Sequence, residues 1–490
     1  MRTIFLLLIA LFLLALVGCR EDSPALSPAE GVKEASQAPL LPGCRSCHAD
    51  IQLDVSHDFA CTECHQGNNE TNDKELAHQG LTAQPAAPEN IAAACGRCSR
   101  CHTEQVEGCG QVATHFTLEN EVNLVRNHFG LEPLPGGMNA IPDRSGPPQN
   151  KEQLVDDLLR RRCLRCHVQS PGDNYPSVQH GSGCAACHLR KTEGKLASHI
   201  FKLPVEQQCL SCHYGNRVGS DFVGMYEHDY GADFRSPQAT TALHLRPYGI
   251  EQHNLVQDIH RQRGLTCIDC HSGKELFGKQ QKITCVACHA PAVGSVPPLK
   301  NIRADKEQLF LTTRQDSKEH LIPRLQHPAH ARYGDRVDCQ VCHAQWSFND
   351  QTTHLLLSYA TNTEPWQALK VQSSSEVENF LTGEADKPSM TDSLTGQKKP
   401  GIWYQGYSLR RWENILIRQD KDGILKVFRP LLDLRLSAID ANGEIIAGLD
   451  NITGQGDGLL PYIPHTTGPA GLFYEQRFLP LLDAQQSVNP

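Results

Sequence analysis

The sequence is poor in the residues from which large hydrophobic cores are built. Of its 490 residues, 39% are hydrophobic, only 6% are aromatic, and four are Met. This composition offers little apolar surface to offset the entropy of ordering so long a chain. Either much of the chain is loosely structured, or a bound group supplies the missing apolar surface.

The chain also lacks an excess of positive charge, since its formal net charge is −9. Proteins that bind nucleic acids favour a basic surface, so we expect no nucleic-acid partner. The one long apolar run, residues 4–17, is short for a membrane span. Its length is typical of the apolar region of a signal peptide.

The residues around this run predict a lipoprotein signal. Arg2 precedes the run, and Gly18 and Cys19 follow it. A positive start, a short apolar run and a small residue before cysteine resemble a bacterial lipoprotein signal peptide, which is cleaved before an acylated cysteine. We therefore predict a signal peptide at 1–18 and lipidation of Cys19. The alternative is an uncleaved membrane anchor with a chance cysteine.

The following segment, residues 19–43, is rich in Pro, Ala, Ser and charge, and we predict a flexible tether there. Arg20, where inner-membrane lipoproteins carry Asp, favours the outer membrane by resemblance to bacterial lipoproteins. We expect lipid anchoring at that membrane, and the periplasmic and cell-surface faces both stay open.

Cysteine and histidine are abundant, with 21 Cys and 24 His. The motif Cys-x-x-Cys-His occurs nine times, against about 0.04 expected by chance at these frequencies. The cysteine pairs, numbered first to ninth, are Cys44/Cys47, Cys61/Cys64, Cys98/Cys101, Cys163/Cys166, Cys184/Cys187, Cys209/Cys212, Cys267/Cys270, Cys285/Cys288 and Cys339/Cys342. The histidines that end the motifs are His48, His65, His102, His167, His188, His213, His271, His289 and His343.

The spacing has a chemical reason. Two thiols three residues apart lie on one side of a helical turn, where they can add to the two vinyl groups of one porphyrin. The next residue, His, then lies under the iron as the proximal ligand. Structural zinc needs two cysteine pairs per metal and no following His, and disulfide geometry does not explain the histidines. We therefore predict nine covalently attached c-type haems.

Three cysteines lie outside the motifs. Cys19 is assigned to lipid, and Cys95 and Cys109 flank the third motif. A disulfide between Cys95 and Cys109 is favoured in an oxidising compartment. A free thiol or an unusual haem ligand is the alternative at either position.

The second axial ligands are expected among the other histidines. Only three Met remain after the signal peptide, whereas 15 His lie outside the motifs. His/His ligation lowers the haem potential, so we expect mainly low-potential, bis-His haems. His354 and His465 follow the last motif and are the weaker candidates. The twelve candidates for the distal position are His57, His78, His115, His128, His180, His199, His228, His244, His253, His260, His327 and His330.

The motif positions predict the domains. We expect a nine-haem domain at 44–355 with an irregular, mostly helix-and-loop multihaem cytochrome c fold, in which the haems form much of the core. Residues 356–490 are predicted as a haem-free domain with a helix at 364–382 and a small, mainly antiparallel β segment. This domain is either a cap over the haems or a docking surface for a partner.

Several strings carry a family resemblance. They are DIHRQRGLTCIDCH at 258–271, CLSCHYGNRVGSDF at 209–222, CQVCHAQWSF at 339–348 and GIWYQGYSLRRWE at 401–413. They resemble the outer-membrane multihaem c-type cytochromes, often lipoproteins, of metal-reducing bacteria. The resemblance implies a low-potential electron carrier in extracellular (metal) respiration, or a terminal reductase of ferric oxides. It further implies other cytochromes, an outer-membrane porin barrel, and an extracellular or periplasmic electron acceptor as partners.

Two function classes follow. The first is an electron carrier, to which we assign no catalytic residue. The alternative is a periplasmic reductase of a small nitrogen or sulfur oxyanion with one open haem iron. Enzymes of that kind often replace the motif His of the catalytic haem by Lys, and this chain has no Cys-x-x-Cys-Lys and a surplus of His. The sequence therefore favours the carrier. A scaffold protein would leave nine cofactors without a purpose.

Overall fold

The computed structural model describes most of the chain. The described residues are 43–86, 98–106, 114–192, 194–215, 218–228, 246–276, 283–290, 299–306, 308–349, 352–369, 371–406 and 412–488. The predicted signal peptide and lipidated Cys19 lie outside them, as do Cys95, Cys109, His244 and all of the predicted tether except Gly43.

The α-helices are short, mostly one or two turns. The first nine are α1 (Cys44–Cys47), α2 (Thr62–His65), α3 (Lys74–His78), α4 (Thr103–Val106), α5 (Thr114–Thr117), α6 (Glu119–His128), α7 (Lys151–Leu158), α8 (Cys184–His188) and α9 (Glu206–Leu210). They are followed by α10 (Val218–Val223), α11 (Ile259–Gln262), α12 (Cys267–Cys270), α13 (Gly273–Leu276), α14 (Cys285–His289), α15 (Pro328–Tyr333), α16 (Cys339–His343), α17 (Ser375–Leu381) and α18 (Leu479–Val488). Side chains cap the N-termini of several of these helices. Asn150 accepts a hydrogen bond from the Gln153 amide before α7, and Asp338 accepts one from the Gln340 amide before α16.

The strands form several small sheets. Inside the motif region, β1 (Lys191–Thr192) pairs with β2 (Lys195–Leu196), and β3 (Met225–His228) pairs with β4 (Glu251–Asn254). A three-stranded antiparallel sheet contains β5 (Ile302–Asp305), β6 (Gln308–Thr312) and β7 (Glu319–Leu321). These sheets were not foreseen from the sequence, because each strand is only two to five residues long.

The C-terminal region contains the larger sheets. Its strands are β8 (Thr353–Ser358), β9 (Ser389–Thr391), β10 (Lys398–Pro400), β11 (Ile402–Gln405), β12 (Leu416–Gln419), β13 (Leu425–Pro430), β14 (Leu434–Ile439), β15 (Ile452–Thr453) and β16 (Leu459–Pro461). One sheet has the order β11-β8-β14-β15, a second the order β12-β13-β16, and β9 pairs with β10. Pairing is antiparallel except between β8 and β14, which are parallel. The segment predicted to be mainly antiparallel therefore contains one parallel pair, β8 and β14, in the middle of its four-stranded sheet.

The predicted helix at 364–382 is divided. Residues Glu364–Trp366 form a 3₁₀ turn, and α17 begins only at Ser375. Ser373 lies between them with φ of 52°, a left-handed conformation that a continuous α-helix does not allow. The sequence pattern did not reveal this break, because Ser is tolerated inside helices.

The main hydrophobic core joins two regions that the sequence analysis separated. Leu154 and Leu158 of α7 pack in one cluster with Trp403 of β11, Leu436 of β14 and Val377 of α17, and all five are almost fully buried. The predicted boundary between residues 355 and 356 therefore does not separate two cores. The apolar residues between the third and fourth motifs complete the core of the C-terminal region.

Ionic contacts cross the same junction. Arg160 donates to both carboxylate oxygens of Asp392, at 2.6 and 3.1 Å, and to the Ile141 carbonyl at 2.8 Å. Arg161 donates to the carbonyls of Pro400 and Gly401. These buried arginines lie just before the fourth motif in the sequence, and they connect that segment with the C-terminal sheets.

Among the described residues, no helix has both the length and the apolar character needed to cross a membrane.

Candidate metal centres

The nine motifs are distinct local structures. In six of them an α-helix starts at or just after the first cysteine, namely α1, α2, α8, α12, α14 and α16. The third motif starts with a 3₁₀ turn at Cys98–Arg100, and the sixth lies at the end of α9. The fourth follows a π turn, Leu159–Cys163, and forms a 3₁₀ turn at Leu164–Cys166. Every motif thus places its cysteines on or beside a single turn.

The motif cysteines, for which we predict thioether bonds to haem, are all at least partly accessible in the structure. These eighteen cysteines are Cys44, Cys47, Cys61, Cys64, Cys98, Cys101, Cys163, Cys166, Cys184, Cys187, Cys209, Cys212, Cys267, Cys270, Cys285, Cys288, Cys339 and Cys342. None of them is in a disulfide with another described cysteine, so covalent attachment stays a prediction.

The second cysteines of the second, third and sixth motifs show the local geometry. The thiol of Cys101 is exposed, those of Cys64 and Cys212 are partly exposed, and the Cys212 sulfur lies 3.9 Å from Ser211 Oγ. Their backbone amides donate to the carbonyls of the first cysteines three residues earlier, at 3.1 Å for Cys64 and 3.3 Å for Cys101 and Cys212. One turn therefore joins the two cysteines in each of these three motifs, as the spacing requires.

Six motif histidines each face one histidine from elsewhere in the chain. The pairs, with the distance between ring centroids, are His48–His78 (6.3 Å), His65–His199 (6.2 Å), His102–His57 (6.2 Å), His271–His465 (6.3 Å), His289–His260 (6.1 Å) and His343–His330 (6.0 Å). The distances fall within 0.3 Å of one another, although the pairs come from unrelated loops and helices. Such uniformity indicates a common structural requirement.

That separation has a simple geometric meaning. A metal–imidazole bond is about 2 Å long, and ring bonds near 1.35 Å put a ring nitrogen about 1.2 Å from the ring centre. Two imidazoles that bind one metal from opposite sides therefore have centroids about 6.3 Å apart. The six pairs match the spacing of axial ligands on either side of one metal.

The ring planes define two groups of pairs. Three pairs are nearly parallel, with interplanar angles of 17° to 20°: His102–His57, His271–His465 and His343–His330. The other three are inclined at 53° to 66°. Rotation of a ring about the metal–nitrogen axis changes this angle without changing the ligand distance, so both groups fit axial ligation.

Hydrogen bonds orient the motif histidines. The Nδ1 atoms of His65, His188, His289 and His343 lie 2.8 to 3.0 Å from backbone carbonyl oxygens, those of Thr82, Lys202, Pro323 and Gly468. A carbonyl only accepts, so Nδ1 carries the proton and the lone pair is on Nε2. Such a contact fixes both the tautomer and the ring direction of a metal-binding histidine.

The facing histidines are held in the same way. His57 Nδ1 lies 2.8 Å from a carboxylate oxygen of Asp54, and His260 Nδ1 lies 2.7 Å from Asp258. His465 Nδ1 lies 3.1 Å from the Ile463 carbonyl. The hydrogen bond from His57 lowers the pKa of Asp54. In these pairs both Nε2 atoms are left free for a metal between the rings.

The fourth motif is different. His167 is almost fully buried, and its Nε2 lies 3.0 Å from the Ser393 carbonyl, while its Nδ1 accepts from the Gln169 amide. Both ring nitrogens are therefore engaged with the protein. The Nδ1 atom of the nearby His180 lies 2.8 Å from the Gly181 carbonyl, and its buried Nε2 has no hydrogen-bond partner among the described residues. Burial lowers the pKa of both histidines and keeps them neutral.

The remaining distal candidates have other surroundings. His327 accepts from the Ala329 amide through Nδ1 and caps α15, at 83° to His330. His128 ends α6 beside Gly454. His253 lies on β4, opposite Tyr226, and the buried Nδ1 of His115 has no hydrogen-bond partner in the part of the chain that the structure describes. The side chain of His228 and the whole of His244 lie outside the described residues.

Sequence reasoning undervalued one histidine, His465, which faces His271 although it lies 122 residues beyond the last motif histidine. No local signal marks it, because its position depends on how the C-terminal region folds back. His354, the other late histidine, bonds Ser437 Oγ at 2.8 Å.

Neighbouring motifs are also in contact. The thiols of Cys209 and Cys267 are hydrogen-bonded to each other, which raises the pKa of Cys209 and lowers that of Cys267. The thiols of Cys285 and Cys339 make the same contact, which lowers the pKa of Cys285 and raises that of Cys339. Thus the sixth motif touches the seventh, and the eighth touches the ninth.

The N-terminal motifs make similar contacts. Burial and the adjacent Cys61 thiol raise the pKa of Cys44, which joins the first and second motifs. Arg100 of the third motif pairs with Glu63 of the second at 2.9 Å. Groups attached to these cysteines would lie side by side.

Within the described residues, no group of three or more His, Cys, Asp or Glu side chains converges as a metal site. A haem iron takes four of its bonds from the porphyrin, so two facing imidazoles suffice for it. The paired histidines and adjacent thiols therefore fit haem. Comparisons with protein-family models, curated proteins and solved structures find no match to this chain.

Proposed function

We propose that the chain is a c-type cytochrome that carries nine covalent haems and transfers electrons between redox partners. The observation that carries this proposal is the set of six motif histidines that face a second histidine at 6.0 to 6.3 Å. The thiols that would hold each haem precede these same histidines in the sequence. When bound, the haem irons would supply one-electron chemistry.

The histidine pairs favour electron transfer over substrate chemistry. Two protein ligands on one iron leave no coordination position for a substrate, and His/His ligation gives a low potential. The Nδ1 contacts of His289 and His343 hold the rings in place, so little rearrangement accompanies a change of charge. A site that is rigid in both redox states suits a carrier.

Contacts between motifs support a relay through several centres. The thiol pairs Cys44–Cys61, Cys209–Cys267 and Cys285–Cys339 each join two consecutive motifs. Electron tunnelling falls steeply with distance, so a relay requires adjacent centres. In this proposal the chain is anchored at the outer membrane by lipid on Cys19, and it serves extracellular respiration with other cytochromes, a porin barrel and an external acceptor as partners.

The test is spectroscopic. The protein is produced with its haems, mass spectrometry counts those attached, and electron paramagnetic resonance counts low-spin and high-spin irons. We expect nine haems and low-spin signals of two kinds, because parallel and inclined imidazole planes split the iron orbitals differently. A chain without covalent haem would overturn the proposal.

One observation favours a second candidate, a reductase of a small nitrogen or sulfur oxyanion with one open iron. It is the engagement of both His167 nitrogens, which leaves the fourth motif without a free proximal nitrogen in this arrangement. The same spectra separate the two candidates. A high-spin signal from one haem that shifts with nitrite, hydroxylamine or cyanide would favour the enzyme, and nine low-spin irons would exclude an open site.

A further inference from the structure

The segment 463–468, which follows β16, leaves the C-terminal sheets and runs along the last motifs. Its backbone accepts from the Gln345 amide at Thr466 and from the Ile259 amide at Thr467, at 2.9 and 2.8 Å. The fully buried Thr466 donates from its hydroxyl to the Trp346 carbonyl at 2.6 Å. These contacts fix the segment against both α11 and the end of α16.

The segment presents His465 to the seventh motif. The rings of His465 and His271 are 6.3 Å apart and inclined by only 20°. His465 Nδ1 is on the Ile463 carbonyl, and His271 Nδ1 lies 3.1 Å from Glu275, so both Nε2 atoms are free.

The same segment reaches the eighth and ninth motifs through its backbone. The Thr467 amide donates to Asp258 at 2.8 Å, and the other oxygen of that carboxylate holds His260 Nδ1, whose ring faces His289. The Gly468 carbonyl accepts from His343 Nδ1 at 2.9 Å. This short segment thus carries His465, which faces the seventh motif. Its backbone also orients His260, which faces the eighth motif, and His343 of the ninth.

We propose that His465 is the second axial ligand of the haem attached at Cys267 and Cys270. The C-terminal region, which carries no motif, then completes the seventh haem site instead of merely covering it. Thr467 and Gly468 are positioning residues for the eighth and ninth sites. This inference rests on the proposed function for the presence of the haems.

The experiment compares His465→Ala with His354→Ala in the haem-loaded protein. Both histidines lie beyond the last motif, but His354 bonds Ser437 and faces no motif histidine in the described part of the chain. We expect His465→Ala to convert one haem in nine to a high-spin form that binds carbon monoxide, and added imidazole to restore the low-spin signal. His354→Ala should keep the wild-type spectrum.

A second variant keeps the inference testable if His465→Ala does not fold. His465→Met keeps two axial ligands, so one haem should stay low-spin while its potential rises, because Met ligation raises the potential. Nine haems with unchanged spin states and potentials in both variants would overturn this inference alone. A wild-type chain without haem would overturn the proposed function, and this inference with it.

Discussion

The ion pair between Arg160 and Asp392 should be a main support of the junction between the fourth motif and the C-terminal sheets. Both side chains are almost fully buried, and Lys399 lies 2.8 Å from the same carboxylate. Asp392 also accepts from the amides of Leu394 and Thr395. We predict that Asp392→Asn strongly destabilises the protein.

The expected loss of unfolding free energy in Asp392→Asn follows from two estimates. The cationic partners and hydrogen bonds outweigh burial and lower the pKa of Asp392 from 3.8 to about 2. That shift corresponds to about 2 kcal/mol at neutral pH. Loss of one partner of a buried ion pair typically costs about 3–5 kcal/mol. Because Lys399 can still pair with Asp143 at the surface, we expect about 2–4 kcal/mol.

The assay is urea unfolding followed by circular dichroism. With a slope of about 2 kcal/mol per molar urea, the midpoint should fall by about 1–2 M. Asp457→Asn is the matched control, because its pair with Arg418 is about half exposed and should contribute under about 1 kcal/mol. Equal losses in the two variants would refute the reasoning.

The contribution of Asp392 to stability should depend on pH in a definite direction. A carboxyl with a depressed pKa stabilises the fold above its unfolded pKa, and this stabilisation is lost as the pH falls through the folded value. The stability difference between wild type and Asp392→Asn should therefore shrink between about pH 4 and about pH 2. A difference that grew in this window would contradict the assignment.

Two further predictions concern single positions. His330→Ala should convert one low-spin iron to high-spin, because His330 faces His343 at 6.0 Å, whereas His327→Ala should keep all irons low-spin and cost only about 1 kcal/mol for the lost helix cap. Identical spectra for these two variants would contradict the pairing. Gly249→Ala should destabilise by about 3 kcal/mol in thermal unfolding, since φ is 71° and a Cβ would lie 2.1 Å from the buried Tyr175 ring. A loss below about 1 kcal/mol would show that the ring moves aside easily.

Part of the fold could be predicted from local sequence. Asn150, followed by an amphipathic stretch, begins α7, because a cap and an apolar face act within one or two turns. Asp422-Gly423 lies in the turn between β12 and β13, since Gly423 adopts a positive φ that glycine tolerates. The short strands of the motif region gave no such signal, because two to five residues do not establish a period.

The candidate sites also have one part that local sequence predicts and another part that it does not. Each motif histidine is determined by the sequence itself, because Cys-x-x-Cys-His is a contiguous chemical unit that acts within one helical turn. The facing histidines are not: His57, four residues before the second motif, faces His102 of the third, and His199 reaches back to His65. Sequence distance does not predict these pairs, because each depends on where two separate segments meet.

His465 is the extreme case. Its partner His271 lies 194 residues earlier in the chain, and the two meet only because the segment after β16 returns to the motif region. The sequence alone determined the prediction of covalent attachment and proximal ligation, since both need only local spacing. The tertiary structure decided which histidines face one another, which thiols touch, and that a histidine of the C-terminal region faces the seventh motif, because these are contacts between distant parts of the chain.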